Sequence, residues 1–183
     1  MDTEHRPVRG LPGRPLALVL GLAGALALAV TAPAAAVAPP DDSSALTWGQ
    51  TRVYDDGLAV TVARPSAFTP SDTSAGHRVG HQAVAWKITL KNGTTEAFKM
   101  SLVSVYAKYG TAGERAERVF DSAKGIGSDF EGSISRGRSA TATYVFDIPK
   151  AAVGSLDIEA VPDIFDYEGT HWTGPLNSRT GPS

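Results

Sequence analysis

His77 and His81 stand four residues apart with Asp72 nearby, and these are ligand types for a divalent transition metal. On a helix that spacing would put both imidazoles on one face. Gly76 and Gly80 flank the pair, so the segment reads as a loop whose geometry is undefined and the two residues read as solvated histidines. Asp163, Asp166 and Glu168 form a second candidate, an acidic group whose carboxylate oxygens would suit calcium. It lacks an Asp-x-Asp-x-Asp-Gly loop, and Ile164, Phe165 and Tyr167 interleave the acids as an edge strand or turn packed on a core would. No metal and no cofactor is assigned at either place.

Nucleophilic chemistry has little to draw on. There is no Gly-x-Ser-x-Gly elbow, cysteine is absent, and three of the four histidines lie beyond the leader described below. Gly125-Ile126-Gly127-Ser128 has the glycine content of a phosphate loop but neither its lysine nor a following helix pattern, and it reads as a flexible turn. Asn92-Gly93-Thr94 satisfies the glycosylation sequon, although a tight turn accounts for Asn-Gly without modification. No catalytic residue is assigned, and the expectation is a non-catalytic protein.

The elements that would position these residues are strands. Leu58, Val60 and Val62 alternate with Ala59, Thr61 and Ala63, which puts one set of side chains on a buried face. Val84, Trp86, Ile88 and Leu90 alternate with Ala85, Lys87, Thr89 and Lys91. Ala140, Ala142, Tyr144, Phe146 and Ile148 form a third set, with Thr141, Thr143 and Asp147 predicted to face out, and Leu156 with Ile158 a fourth. Between Phe98 and Tyr109 the phase changes, and a β-bulge near Leu102 would reconcile the two halves. Asp55-Asp56-Gly57, Asn92-Gly93 and Arg136-Gly137 supply turn glycines. Pro65 to Gly80 and Asp121 to Asp129 are long connections, where such a fold would hold a site. Trp86 reads as core. Trp48 and Trp172, near the two ends of the domain, would cover the core rim or offer a stacking surface for sugar rings. No long 3.6-residue apolar stripe follows the leader, so the pattern predicts an all-β fold, an antiparallel β-sandwich.

Ahead of the strands, Arg6, Arg9 and Arg14 precede an apolar run from Leu16 to Ala32 and then Pro33-Ala34-Ala35-Ala36-Val37-Ala38, the order of a secretory signal peptide. Ala34 and Ala36 fit the shallow pockets of signal peptidase, and the other register would leave Pro39 after the cut, so cleavage is placed between Ala36 and Val37. An uncleaved membrane anchor is the competing reading, but 17 residues is the short limit for a spanning helix. The predicted organisation is a signal peptide helix over 1–36, a flexible linker over 37–46, one sandwich domain over 47–174 and a loose tail over 175–183. Without cysteine the chain has no lipoprotein attachment point and no disulfide.

The leader carries three of the 17 Lys and Arg and two of the 19 Asp and Glu, leaving 14 against 17 in the remainder. That near-neutral, dispersed balance gives no electrostatic footprint for nucleic acid or anionic lipid.

The order of features, Tyr54 to Arg64, then Trp86-Lys87-Ile88-Thr89-Leu90-Lys91-Asn92-Gly93, then Tyr144-Val145-Phe146-Asp147-Ile148-Pro149-Lys150 and Thr170-His171-Trp172-Thr173-Gly174, resembles the immunoglobulin-like domains of exported actinobacterial proteins. Many of these are lipoproteins of unknown function related to the secreted mycobacterial immunogenic proteins. Some carry a telomeric-repeat-binding-factor-like label that implies no DNA binding. The resemblance spans roughly Thr47 to Gly174 and implies an immunoglobulin-like antiparallel β-sandwich with an extracytoplasmic address. It brings no catalytic residues, and the missing cysteine departs from the lipoprotein members.

Together these features lead to the expectation of a secreted binding domain whose partner is an unknown protein or cell-envelope component, with no nucleic acid and no membrane contact once the signal is removed. The alternatives are a structural, wall-associated spacer or a surface protein anchored through the uncleaved N-terminal segment.

Overall fold

The alternation at Val84, Trp86, Ile88 and Leu90 builds the centre of the molecule. The computed structural model describes residues 45–176. The predicted signal helix, its cleavage point at Ala36 and Val37, and residues 177–183 of the tail lie outside the described residues. In chain order the strands are β1 (Leu46–Thr47), β2 (Thr51–Val53), β3 (Leu58–Val62), β4 (Ser66–Phe68), β5 (His81–Asn92), β6 (Phe98–Lys99) and β7 (Ser104–Tyr109). There follow β8 (Glu114–Arg115), β9 (Glu117–Arg118), β10 (Ser133–Ile134), β11 (Ser139–Pro149), β12 (Leu156–Val161) and β13 (Thr170–Gly174).

One sheet runs β2-β3-β5-β11-β9 with β4 also on β5, the other runs β1-β13-β12-β7-β8, and β10-β6 is a short ribbon. Every pairing is antiparallel except β1 beside β13. The fold is an immunoglobulin-like antiparallel β-sandwich. Among the described residues no helix is long and apolar enough to cross a membrane.

The register of β5 on β11 runs from His81 opposite Pro149 to Lys91 opposite Ser139, placing Trp86 opposite Tyr144 and Val84 opposite Phe146. Because directly opposed residues share a face, both strands send their large side chains inward. Leu156, Ile158 and Ala160 of β12 and Trp172 of β13 join them in one core. Each such side chain, once buried, contributes about 1.5–3 kcal/mol, so the pairing of two alternating strands is enough to fix which face is inside.

Trp172 is wholly buried and its Nε1 donates to the Gln50 carbonyl at 2.9 Å. It is core, not rim or stacking surface. Trp48 packs on that core, 6.2 Å from Trp86, and its Nε1 donates to the Pro175 carbonyl at 3.1 Å. Leu176, within the segment predicted as a loose tail, is also buried, and its N–H donates to the Val153 carbonyl at 2.9 Å.

Three further expectations change. No bulge carries Phe98 to Tyr109 along one sheet; a 3-10 turn over Met100–Leu102 moves the chain from the β6–β10 ribbon into the second sheet as β7. A bulge would have kept both halves in one ladder, whereas the phase change marks a change of sheet. Asp147 does not face solvent, since its side chain is 1% exposed. The outer face of β5 and β11 is itself covered, because Ala83 and Val145 make a second small core with Val119 and Ile126, edged by Phe68 and Ala85.

Candidate functional site

The cover over that outer face is made by the two long connections, 69–80 and 119–130. Asp121 binds them together. Its carboxylate accepts hydrogen bonds from Ser71 N–H at 2.7 Å and Ser71 Oγ at 2.6 Å. These bonds hold its carboxyl below the usual carboxylate range, the Ser71 hydroxyl first and the Ser71 amide next. Ala75 and Phe120 exchange backbone hydrogen bonds at 2.8 and 2.9 Å, and Lys124 Nζ donates to the Thr69 carbonyl at 2.6 Å. Gly76 is required at this seam. Its φ is +86°, and a Cβ there would lie 2.1 Å from the Arg118 carbonyl oxygen.

This seam delivers the two histidines to Asp147. His77 Nδ1 lies 2.7 Å from Asp147 Oδ1, and His81 Nδ1 lies 2.7 Å from Asp147 Oδ2. The His77 contact is a hydrogen bond. His81 Nδ1 is equally close but has no hydrogen-bond partner among the described residues. The imidazoles are 26% and 25% exposed. They are therefore not two free solvated side chains, because they flank one buried carboxylate. Asp72 remains exposed, and Asp147 is the acid they meet. Among the described residues no three His, Asp or Glu side chains gather as a metal-holding group. The arrangement sets both imidazoles against a buried carboxylate and fastens a loop to a sheet.

The acidic candidates separate in the same manner. Asp163 is buried, its Oδ1 accepting from Phe165 N–H at 2.9 Å and its carbonyl from Tyr167 N–H at 2.9 Å. It shapes the loop. Asp166 and Glu168 line an open groove of 510 Å³ with Arg52, Tyr54, Asp55, Asp56 and Tyr167. Tyr167 donates its hydroxyl to Asp56 Oδ2 at 2.6 Å, and its ring meets Tyr54 edge-on at 5.0 Å. Ile164 and Phe165, between the acids, are 64% and 80% exposed. Alternation predicted these two to pack on the core, but the Asp163 turn lifts them off it.

A second open groove, of 530 Å³, lies where the chain crosses from β8 to β9. It is lined by Arg78, Arg115, Arg118, Glu117, Tyr106 and Phe146, among others. Spacing gave no sign of it, because its residues come from a loop and four strands. The Gly125-Ile126-Gly127-Ser128 turn bridges back instead, with Ile126 and Asp121 exchanging backbone bonds at 2.8 Å.

Burial raises three tyrosines. It pushes the Tyr144 phenol up to about 12, assisted by the Asp129 charge. It raises Tyr167 as well, with the Asp56 bond adding to it, and raises Tyr54 against the opposing pull of Thr170 and Arg52. An unfolded tyrosine ionises near pH 10, so above that value the native state holds protons the unfolded chain has lost. Stability from these groups is full below pH 10 and falls as pH rises from about 10 towards 12. Urea unfolding between about pH 9 and 11.5 is expected to show that fall, with Tyr144→Phe flattening it. An identical slope in wild type and variant would remove Tyr144 as its source.

No family model and no curated protein matches the sequence. In fold the chain is similar to a Bacillus subtilis protein described as a lipoprotein (ycdA), with a TM-score of 0.57 at 10% identity, over 70% of this chain and 39% of that one. It is also similar to the yjhA protein of Bacillus subtilis, with a TM-score of 0.57 at 12% identity, over 69% of this chain and 97% of that one. A weaker likeness, with a TM-score of 0.46 at 15% identity, is to the secreted Mycobacterium tuberculosis protein MPT63, over 70% of this chain and 94% of that one. The chain thus spans 39% of the length of the first of these proteins. The likeness is one of fold.

Proposed function

We propose that the protein is an exported domain that works outside the cytoplasm by binding, without catalysis, and that its contact surface is the loop end formed by 52–57 and 163–168. The observation that carries this reading is the exposed pair Ile164-Phe165 beside a groove lined by Asp55, Asp56, Asp166 and Glu168. An apolar anchor beside a groove with four acids and one arginine suits a partner protein or envelope component that offers an apolar pocket and basic groups. The buried carboxylates speak for binding over catalysis, since Asp121, Asp147 and Asp163 are each engaged in holding a loop. The address is supported by the leader in the sequence, by the resemblance to exported actinobacterial immunoglobulin-like domains, and by a fold shared with a protein described as a lipoprotein.

The test has two parts. Intact mass of the protein recovered from its producing cells is expected to show a species beginning at Val37 in the medium; a species retaining Leu16 to Ala32 in the membrane fraction would replace secretion by anchoring. The recovered protein is then returned to washed cells, as wild type and as Ile164→Ser/Phe165→Ser. Saturable retention, weakened by salt and reduced roughly tenfold or more in the double variant, is the expected outcome. Equal retention of both proteins would move the contact surface elsewhere.

A further inference from the structure

We infer that the arginine-lined groove at the β8–β9 crossing is an oxyanion site, in which Arg118 takes two oxygens of one anionic group and Arg115 adds charge beside it. The guanidinium of Arg118 lies over the Tyr144 ring at 4.4 Å and within 5.2 Å of the Phe120 ring. Those rings bear on its flat faces and leave its edges to hydrogen bonding.

The edges differ. Nη1 donates to Asp129 Oδ1. Nε and Nη2, the two donors that point the same way and form the bidentate side of a guanidinium, are buried and have no hydrogen-bond partner among the described residues. Buried donors left unmatched are costly, and two parallel N–H groups on a planar cation are the geometry that carboxylate and phosphate oxygens accept.

The surroundings agree in charge. Arg78, Arg115 and Arg118 line the groove, with Glu117 as its one acid among them. Glu117 is paired with Arg78, and Arg115 is held over the Tyr106 ring at 4.7 Å. An anion entering here meets Arg115, which has no carboxylate on it among the described residues, beside the unmatched Nε and Nη2 of Arg118. The groove is built where the chain leaves one sheet for the other through buried Ala116, so its walls belong to both layers of the sandwich. This surface is separate from the acidic loop end and does not depend on the role given to it.

The test is an NMR titration of the 15N-labelled protein in its natural form with inorganic phosphate, dimethyl phosphate and acetate, against sodium chloride at equal ionic strength. These stand for a free tetrahedral anion, a phosphodiester within a larger molecule, and a carboxylate. A saturable shift of the Arg118 Nε–H resonance with at least one of them, beyond that with chloride, is expected, and the anion with the lowest apparent Kd names the source. Arg118→Gln is expected to weaken that anion by roughly tenfold or more. If that variant fails to fold, Arg78→Gln/Arg115→Gln serves in its place, with a weakening of about threefold or more expected from the lost charge. Three anions that act no differently from chloride, or a saturable effect that survives Arg118→Gln in a folded protein or Arg78→Gln/Arg115→Gln at full strength, would overturn the inference.

Discussion

Replacing His77 and His81 together by alanine is expected to lower the free energy of unfolding by about 3–5 kcal/mol, the range for a buried ion left without its partners. Asp147 would stay between its own strand, β11, and the loop cover with its side chain 1% exposed. The donor remaining to it, Arg78 N–H, stands at 3.4 Å, too long to compensate. Removing either histidine alone should cost less than half as much, since the other still offsets the charge. The decisive measurement adds Asp147→Val to the double variant. Asp147 lies opposite Ala83, beside the apolar set of Ala83, Val119, Ile126 and Val145, so valine has neighbours to pack on. Buried ion pairs exchanged for apolar residues of similar volume are commonly neutral in stability. The triple variant should therefore return to within about 1 kcal/mol of wild type by urea unfolding. If it stays as unstable as the double variant, the histidines act by fastening the loop and not by neutralising Asp147.

That carboxylate also marks where the sequence stops being legible. Alternation located β3, β5, β11 and β12, because each carries apolar residues at every second position and the opposite positions are mostly threonine, lysine, alanine or, in β12, aspartate and glutamate. It is silent on what lies over those opposite positions. Ala83 and Ala85 resemble outward residues, and Val145 and Asp147 fall in the outward phase of β11, yet a cover of irregular chain buries Ala83, Val145 and Asp147. The cover has no period because it is held by individual bonds such as Ser71 to Asp121 and His77 to Asp147, whose partners are 50 and 70 residues apart. The connections 65–80 and 121–129 were visible, but the short strand β4 (Ser66–Phe68) inside the first and the contact of the two with each other were not. The same limit hid the arginine groove. Tight turns fared better, since Gly57 and Gly137 take positive φ at the expected places, although Gly93 does not.

Asn92 carries the second large effect. Its side chain has two donors and two accepting lone pairs, and all four are used inside the protein. Nδ2 donates to the Glu96 carbonyl at 2.7 Å and to the Ile134 carbonyl at 2.8 Å. Oδ1 accepts from Thr94 N–H at 2.9 Å and Thr94 Oγ at 2.8 Å. The side chain thus ties the end of β5 both to its own turn and to β10, and it is fully buried. Asn92→Ala leaves these groups without partners and is expected to cost about 3 kcal/mol or more. Asn92→Asp should cost more still, because it keeps the acceptor facing Thr94 but turns a carboxylate oxygen towards two carbonyl oxygens in a dry setting. The order of the two variants is the informative result, since an aspartate milder than alanine would mean that the amide is turned the other way. The neighbouring turn cannot adjust to relieve either change. Gly93 N–H donates to the Gly57 carbonyl at 3.2 Å, and a Cβ at Gly93 would lie 2.3 Å from that oxygen. The two turns are therefore packed backbone to backbone, and a loss at Asn92 is felt in the β2–β3 connection as well. The sequon is consequently silent in the folded protein: with no exposed amide, Asn92 can be modified only before the sandwich closes, and a glycan there would prevent it from closing.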